Sequence, residues 1–436
     1  IRRQRQMCIR DRLTSCIERR IYMLLEFSCS NHRSIRDEVL FSLIAGTDKT
    51  HNENIEQIAG LKILKAAVIY GANGSGKSNF IDAISFVKNL VIDSVSNKPG
   101  DGILQVPHKL EGYEKKSVYK IQFMVNNVRY AYGFSLINTL VSDEYLFYFP
   151  NNRKTKIFER IDNNFTAGSN FRNKFNTCKD VLKPNRLMLS CAANFSSVDE
   201  ALYAYNFFKN GLVIYSSVNQ DNWMNYSLHQ INKNEQTKNI VLNFLDSLGT
   251  GIKDIKVEIK KEEVDISSLP PFLSDEFKKY LSERIDKISA KVIYEDFDTN
   301  LLTEESTGIK KLFGLLCPFI DILTNGKVLI CDELESNLHE SLLFGLVKQF
   351  INTHGSNPAQ LIFTTHETGL LNFDLFRRDQ IWFTEIKSKG RSTDLYSLTE
   401  IRNVRKDENF GKGYIAGKYG AIPMLNLNFA DLIYNI

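Results

Sequence analysis

Over its first 160 residues the chain keeps mostly to the two-residue period of strands. Leu25, Phe27 and Cys29 alternate with Glu26 and Ser28, which predicts a half-buried strand. Asn31-His32-Arg33-Ser34 then reads as a turn and Val39 to Leu43 as a second strand. Ala66 to Tyr70 is a continuous apolar run, the pattern of a strand buried in a parallel sheet. From Ser78 to Leu90 the period becomes helical, with Phe80, Ile81, Ile84, Val87 and Leu90 on one face. A glycine-proline loop runs from about Pro99 to Pro107. Four alternating segments follow, Tyr119 to Met124, Val128 to Leu136, Glu144 to Phe149 and Lys156 to Arg160. Asn126-Asn127 and Asn151-Asn152 separate them, and Asn pairs between alternating runs predict hairpins.

Further on, Leu182 to Phe208 reads as mostly helical, Asp221 to Asp246 as polar with a helical end, and Ile252 to Ile259 as a strand. Pro270-Pro271 breaks the chain before a charged amphipathic helix over Ser274 to Ile288 and a strand over Lys291 to Phe297. Internal repeats, low-complexity tracts and sustained heptads are absent. The predicted fold is therefore α/β. It has a core with a mainly parallel sheet, an antiparallel β lobe, and a helical insertion between the two halves of the core.

Composition changes this picture little. At 436 residues, 43% hydrophobic and 11% aromatic, the chain can bury a large core. Apolar stretches stay shorter than the roughly 18 residues a spanning helix needs, so no membrane partner is expected. Seven scattered cysteines without C-x-x-C pairs favour reduced thiols and a cytoplasmic location. Residues 1–22 show no clear period and resemble an in-frame translated sequencing adapter, with Met23 as the expected start; a basic nucleic-acid arm is the alternative. They carry seven Arg against Asp11 and Glu18, so without them the formal +4 becomes −1 and overall basicity is no argument for DNA. Residues 23–436 are expected to form one bilobed domain: an N-terminal half (23–180), a mostly helical insertion (181–300) and a C-terminal half (301–436).

The decisive motif is Gly71-Ala72-Asn73-Gly74-Ser75-Gly76-Lys77-Ser78, which fits G-x-x-x-x-G-K-[ST] between the predicted strand and helix. Glycines let successive backbone N–H groups converge on an anion, and the helix N-terminus adds partial positive charge. Gly71 to Asn79 are thus the expected nucleotide contacts, Lys77 reaching the β- and γ-phosphates and Ser78 holding Mg²⁺. A second run, Val328-Leu329-Ile330-Cys331-Asp332-Glu333, ends a buried strand in two carboxylates, where parallel sheets place ligands. Asp332 is the expected Mg²⁺ ligand and Glu333 the group that polarises water. A third strand, Gln360 to Thr365, ends in His366, a candidate γ-phosphate sensor.

These residues resemble ABC-type ATPases. Asp332-Glu333-Leu334-Glu335-Ser336-Asn337-Leu338-His339 is similar to their Walker B and D-loop, His366 to their switch histidine, and Glu304 to Lys311 to a degenerate signature that keeps Ser306 and Gly308. Asp332 lies 255 residues after Lys77, a spacing that suits the SMC, RecF and OLD branches, which carry an insertion. The opening Met23 to Ser28 with Asn31-His32-Arg33-Ser34, and the ending Arg405 to Phe410 with Tyr419 to Pro423, resemble the RloA and AbiLi abortive-infection ATPases and the ATPase of PARIS systems. Two departures stand out: His32 takes the place of a usual Phe, and no Q-loop glutamine is evident, Asn194 being a substitute.

The resemblance implies a homodimer that sandwiches two ATP molecules, with Ser306 and Gly308 acting in trans. By analogy Arg33 is a phosphate contact; the alternative is a surface arginine. It also implies a separate effector, a TOPRIM-type nuclease or a toxin, because no acidic metal cluster follows His366. Arg377 to Lys418 carries ten Lys or Arg against six Asp or Glu, with Trp382, Phe383, Tyr396, Phe410 and Tyr414 interleaved. This stretch is either a DNA or partner surface or an ordinary solvated face. Three functions remain open at this point: a defence ATPase, a RecF- or SMC-like repair ATPase, and a nucleotide-gated binding module with negligible turnover.

Overall fold

The computed structural model describes residues 21–162, 164–216, 220–261, 286–336, 338–353, 357–371, 374–405 and 408–422. The expected unstructured segment 1–22 (all but its last two residues), the Pro270-Pro271 break, nearly all of the Ser274 to Ile288 helix, Asn337, Lys406, Asp407 and Pro423 lie outside them.

The chain opens with β1 (Tyr22–Ser30) and β2 (Val39–Ser42), then a small hairpin of β3 (Ile55–Ile58) and β4 (Leu61–Leu64). β5 (Ala66–Gly71) leads through the glycine loop into α1 (Lys77–Asp93). β6 (Ser117–Val125), β7 (Val128–Ile137), β8 (Leu140–Phe149), β9 (Thr155–Ile161) and β10 (Asn164–Ala167) form the meander. Short helices follow: α2 (Asn176–Val181), α3 (Met188–Phe195) and α4 (Asp199–Asn206), then β11 (Leu212–Tyr215). Next come α5 (Gln220–Lys233), α6 (Glu235–Ser247), β12 (Asp254–Lys261), β13 (Asp286–Ile293), β14 (Asp298–Asn300) and α7 (Thr307–Asn325). The remainder is β15 (Val328–Cys331), α8 (Glu340–Ile351), β16 (Gln360–Thr364), β17 (Ile381–Lys387), β18 (Ser392–Ser397) and α9 (Phe410–Ile415).

Two compact units result, one of residues 1–214, 323–335 and 340–436, the other of residues 215–322 and 336–339. Their boundaries differ from those expected at 180 and 300, because α3, α4 and most of β11 contribute to the core of the first unit. The second unit is not simply helical either. Beside α5 and α6 it contains the antiparallel sheet β12-β13-β14.

The first unit contains two large sheets. One is antiparallel, in the order β10-β9-β8-β7-β6-β1-β2. Asn126 and Asn127, at φ 49° and 64°, make its tight β6–β7 turn, and Asn138 and Thr139 (48° and 64°) make the next. Asn tolerates this left-handed region, which is why the first turn is readable and the second, ending in Thr, is not. The other sheet has the order β11-β15-β16-β5-β17-β18. β15, β16, β5 and β17 pair in parallel, and β18 closes the edge antiparallel to β17.

β1 is not half-buried as its alternation predicts, but buried along both faces. Its Leu24 and Phe27 join the main core, while Met23 and Leu25 pack with Ile58, Ile63 and Met124 under the β3–β4 hairpin. A register shift between Leu24 and Glu26 turns the Leu24 backbone towards buried Gln360 of β16, whose amide accepts from Leu24 N at 2.8 Å and donates to Leu24 O at 3.1 Å. Phe80 of α1 packs its ring at 5.7 Å from Phe27 and 5.5 Å from Phe41, which fastens the helix against β1 and β2. α3 starts where buried Glu144 of β8 accepts from Met188 N (2.5 Å) and Leu189 N (2.9 Å), with Tyr132 Oη donating to the same carboxylate at 3.0 Å. Burial pushes the Glu144 carboxyl up, against those hydrogen bonds and the charge of Arg160.

Of the aromatic residues in the C-terminal basic stretch, Trp382, Phe383, Phe410 and Tyr414 are buried and Tyr396 is half-buried. Phe383 lies within 6 Å of the rings of Tyr396, Tyr414 and Tyr419, and Arg377 is buried in an ion pair with Asp379 at 2.8 Å. The interleaving therefore reflects packing, not a base-stacking surface. The five described cysteines are buried, and none of them is in a disulfide. Among the described residues no helix is long and apolar enough to cross a membrane.

Candidate nucleotide site

β5 lies between β16 and β17, so the parallel core delivers three loops to one sheet edge. The loop 71–76 follows β5, Asp332 and Glu333 follow β15, and His366 stands two residues past β16. This edge is the carboxyl end of the strands, where open α/β sheets bind ligands.

The loop's shape is held from behind by residues far away in sequence. Gly71 sits where a Cβ would come within 2.3 Å of Thr384 Oγ1, and Gly76, at φ 107°, where it would come within 2.0 Å of Thr393 Oγ1. Ser75 Oγ pairs with buried Thr384 Oγ1 at 2.6 Å, and Thr393 Oγ1 donates to Ser75 O at 3.1 Å. Thr393 Oγ1 also meets Ser34 Oγ at 2.7 Å, and Asn79 Nδ2 donates to Ser34 Oγ at 2.6 Å. The Ser75 and Asn79 side chains thus brace the loop. Ala72, Asn73, Gly74 and the Ser78 hydroxyl remain on its accessible side, partly or fully exposed. α1 begins with Gly76 as its cap and no side-chain acceptor, so the first-turn N–H groups face the loop.

Lys77 is buried, and its ammonium donates to Gly71 O at 2.8 Å and Ala72 O at 3.2 Å. Burial holds it below the ordinary lysine range, while the nearby charges of Asp332, Glu333 and Glu335 pull it upwards. Both halves of the predicted site therefore act on one cation. Asp332 Oδ1 accepts from Thr364 Oγ1 at 2.6 Å, and the Glu333 N–H donates to the same hydroxyl at 2.8 Å. Glu333 adopts φ 49°, a left-handed conformation uncommon for a residue with a side chain, and its side chain is exposed. The Glu335 carboxylate accepts from the His366 N–H at 2.8 Å. Burial and then the Lys77 charge hold the His366 imidazole below the ordinary histidine range, against the opposing pull of Glu335, Glu333 and Asp332.

Ser306 is exposed at the start of α7, where its hydroxyl accepts from Ile309 N at 3.3 Å, and Gly308 lies in the first turn. Both belong to the second unit. Arg33 is exposed on its turn. At φ 49° it leaves the turn towards α1, where its guanidinium pairs with Asp82 at 2.5 Å and 3.2 Å. His32 is buried beside it, bonded to Tyr119 Oη at 2.9 Å and Asp82 Oδ2 at 3.0 Å, with its ring 5.9 Å from that of Phe86. An aromatic position has thus been filled by an imidazole whose two nitrogens are both satisfied. Burial opposes ionisation of Asp82, but the His32 and Arg33 contacts hold its carboxyl below the usual range. Asn194 lies on α3, where its side-chain amide donates to Ser190 O one turn earlier in the same helix at 2.8 Å.

A family model matches residues 66–189 and 251–372, more than half of the chain, under the description "AAA domain, putative AbiEii toxin, Type IV TA system" (AAA_21). The chain belongs to this family. Its first matched segment spans β5, the glycine loop and α1; its second spans Ser306, Asp332, Glu333 and His366. No curated protein matches the chain. Among solved structures it is similar to an SmcHead bound to the C-winged helix domain of ScpA, at 13% identity and TM-score 0.43, over 86% of this chain and 97% of that one. It is also similar to the SMC head domain from Thermotoga maritima (14%, TM-score 0.39, over 86% and 98%). A third similarity is to an Smc head domain with an extended coiled coil, bound to the C-terminal domain of ScpA derived from Pyrococcus furiosus (11%, TM-score 0.37, over 88% and 100%).

Ser78 and Asp332 suit a hard divalent cation such as Mg²⁺. They supply a hydroxyl and a carboxylate, and Mg²⁺ takes few protein ligands when substrate phosphates complete its shell. Among the described residues no group of three or more His, Cys, Asp or Glu could hold a metal alone, so such an ion would depend on those phosphates.

Proposed function

We propose that this AAA_21 protein binds and hydrolyses ATP. The observation that carries the reading is the convergence on Lys77 of the glycine loop with Asp332, Glu333 and His366, at the ends of β5, β15 and β16. The loop N–H groups and the α1 N-terminus bind the phosphates, Lys77 offsets charge on the transferring group, Glu333 orients and deprotonates water, and His366 contacts the γ-phosphate. When bound at Ser78 and Asp332, Mg²⁺ supplies charge neutralisation for the β- and γ-oxygens.

In the same reading, two copies sandwich two ATP molecules, and the exposed Ser306 of one copy, with Gly308, completes the other's site. The family's description supports a role in anti-phage abortive infection, in which ATP-dependent dimerisation controls a separate effector, a nuclease or toxin. Glu333→Gln tests the reading. It should retain ATP binding, slow hydrolysis by roughly two to four decades, about 3–5 kcal/mol of barrier, and accumulate as an ATP-dependent dimer in sedimentation velocity. Near-normal turnover removes Glu333 from its role, and a monomer at saturating ATP removes the sandwich.

A further inference from the structure

We infer that Thr364 is a positioning residue that aims both Asp332 and Glu333; this rests on the ATPase reading above. Thr364 is fully buried at the end of β16. A hydroxyl has one proton to give. Here that proton goes to Asp332 Oδ1 at 2.6 Å, while the oxygen accepts the Glu333 N–H at 2.8 Å. Both directions of the hydroxyl are therefore committed to the acidic pair.

The first bond occupies one carboxylate oxygen of Asp332 and leaves the other for a metal. The second holds the Glu333 backbone in its left-handed conformation, which a residue with a Cβ keeps only when its surroundings impose it. Two more bonds complete a seam between the segments after β15 and after β16: Leu334 N donates to Thr364 O at 3.2 Å, and His366 N donates to Glu335 at 2.8 Å. The acids and His366 are thereby joined into one unit, so a displacement of the phosphate-facing histidine moves the water-activating glutamate with it.

The test compares wild type, Thr364→Val and Thr364→Ser as full chains. Val keeps the shape of Thr but carries no hydroxyl; Ser keeps the hydroxyl. Two readouts are used: steady-state ATP hydrolysis, and binding of a fluorescent ATP analogue across a Mg²⁺ titration. Thr364→Val should lower kcat 10- to 100-fold and raise the Mg²⁺ midpoint for nucleotide binding at least 5-fold, with binding of the analogue in EDTA within 3-fold of wild type. Thr364→Ser should recover most of both losses. EDTA binding also reports that the Val variant is folded, and if that variant fails to fold, a wild-type-to-Ser comparison showing a 10-fold kcat loss overturns the inference. Wild-type kcat and Mg²⁺ midpoint in Thr364→Val overturn the inference and leave the ATPase reading intact. A wild-type protein without Glu333-dependent turnover overturns both.

Discussion

Gly76→Ala is the sharpest test of how the glycine loop is held. At φ 107° an L side chain is strained, by about 1–2 kcal/mol. Its Cβ would also lie 2.0 Å from Thr393 Oγ1 and 2.7 Å from Thr393 Cγ2, so Thr393 must rotate away. Rotation breaks its bonds to Ser75 O and Ser34 Oγ, each worth about 1 kcal/mol, and leaves the Ser75 carbonyl unpaired. The expected loss is about 3–4 kcal/mol of unfolding free energy in urea melts. Gly74→Ala is the matched control. Its φ is 76° but nothing lies within 4 Å of the new Cβ, so only the backbone strain, about 1 kcal/mol, should appear. Adding Thr393→Ala removes the two closest atoms, and the double variant should be more stable than the sum of the singles by at least about 1 kcal/mol. Equal losses for Gly76→Ala and Gly74→Ala, or an additive cycle, would refute the claim that Thr393 shapes the loop.

Two further outcomes follow from groups around the site. Asp82→Asn should destabilise the protein by about 1–2 kcal/mol at pH 7, because it weakens acceptance from buried His32 and from Arg33. Asp82's carboxyl is held below its unfolded value, so its stabilisation is full above the ordinary carboxylate range, near pH 4, and disappears as pH falls through the folded value. Urea midpoints of wild type and variant should therefore run parallel from pH 5 upwards and converge in acid. A gap that stays constant down to pH 3 would assign the effect to packing. Glu144→Gln should cost about 2–3 kcal/mol, since an amide NH₂ must face either the Met188 or the Leu189 N–H. A urea midpoint unchanged by this substitution would show that α3 does not need its carboxylate cap.

What could be read from the residues follows the range of the interactions involved. β5, α1 and β15 are local, period-driven elements, and the glycine loop and the Asp332-Glu333 pair are contiguous motifs, so both halves of the site were legible. The meander was legible through its Asn turns. The supports were not. Thr364, Thr384 and Thr393 are single residues on β16, β17 and β18, and nothing in their local sequence marks them as partners of Asp332, Ser75 or Gly76. Nor does anything in the local sequence show that Ser34 and Asp82 take the side chains of Asn79 and Arg33. β1 alternates like a half-exposed strand because Glu26 and Ser28 meet polar partners, Gln122 and Glu38, on a face that the fold covers. A positive-φ glutamate at position 333 leaves no trace in sequence at all.

In the proposed ATPase, the loop after β5 is a phosphate cradle completed by Lys77. Equilibrium dialysis of radiolabelled ATP with Mg²⁺ against wild type and Lys77→Ala tests it most directly. Saturable binding by wild type at one site per chain, weakened at least about 100-fold by loss of the buried ammonium, is the predicted result. Equal affinity of the two proteins for ATP would contradict it.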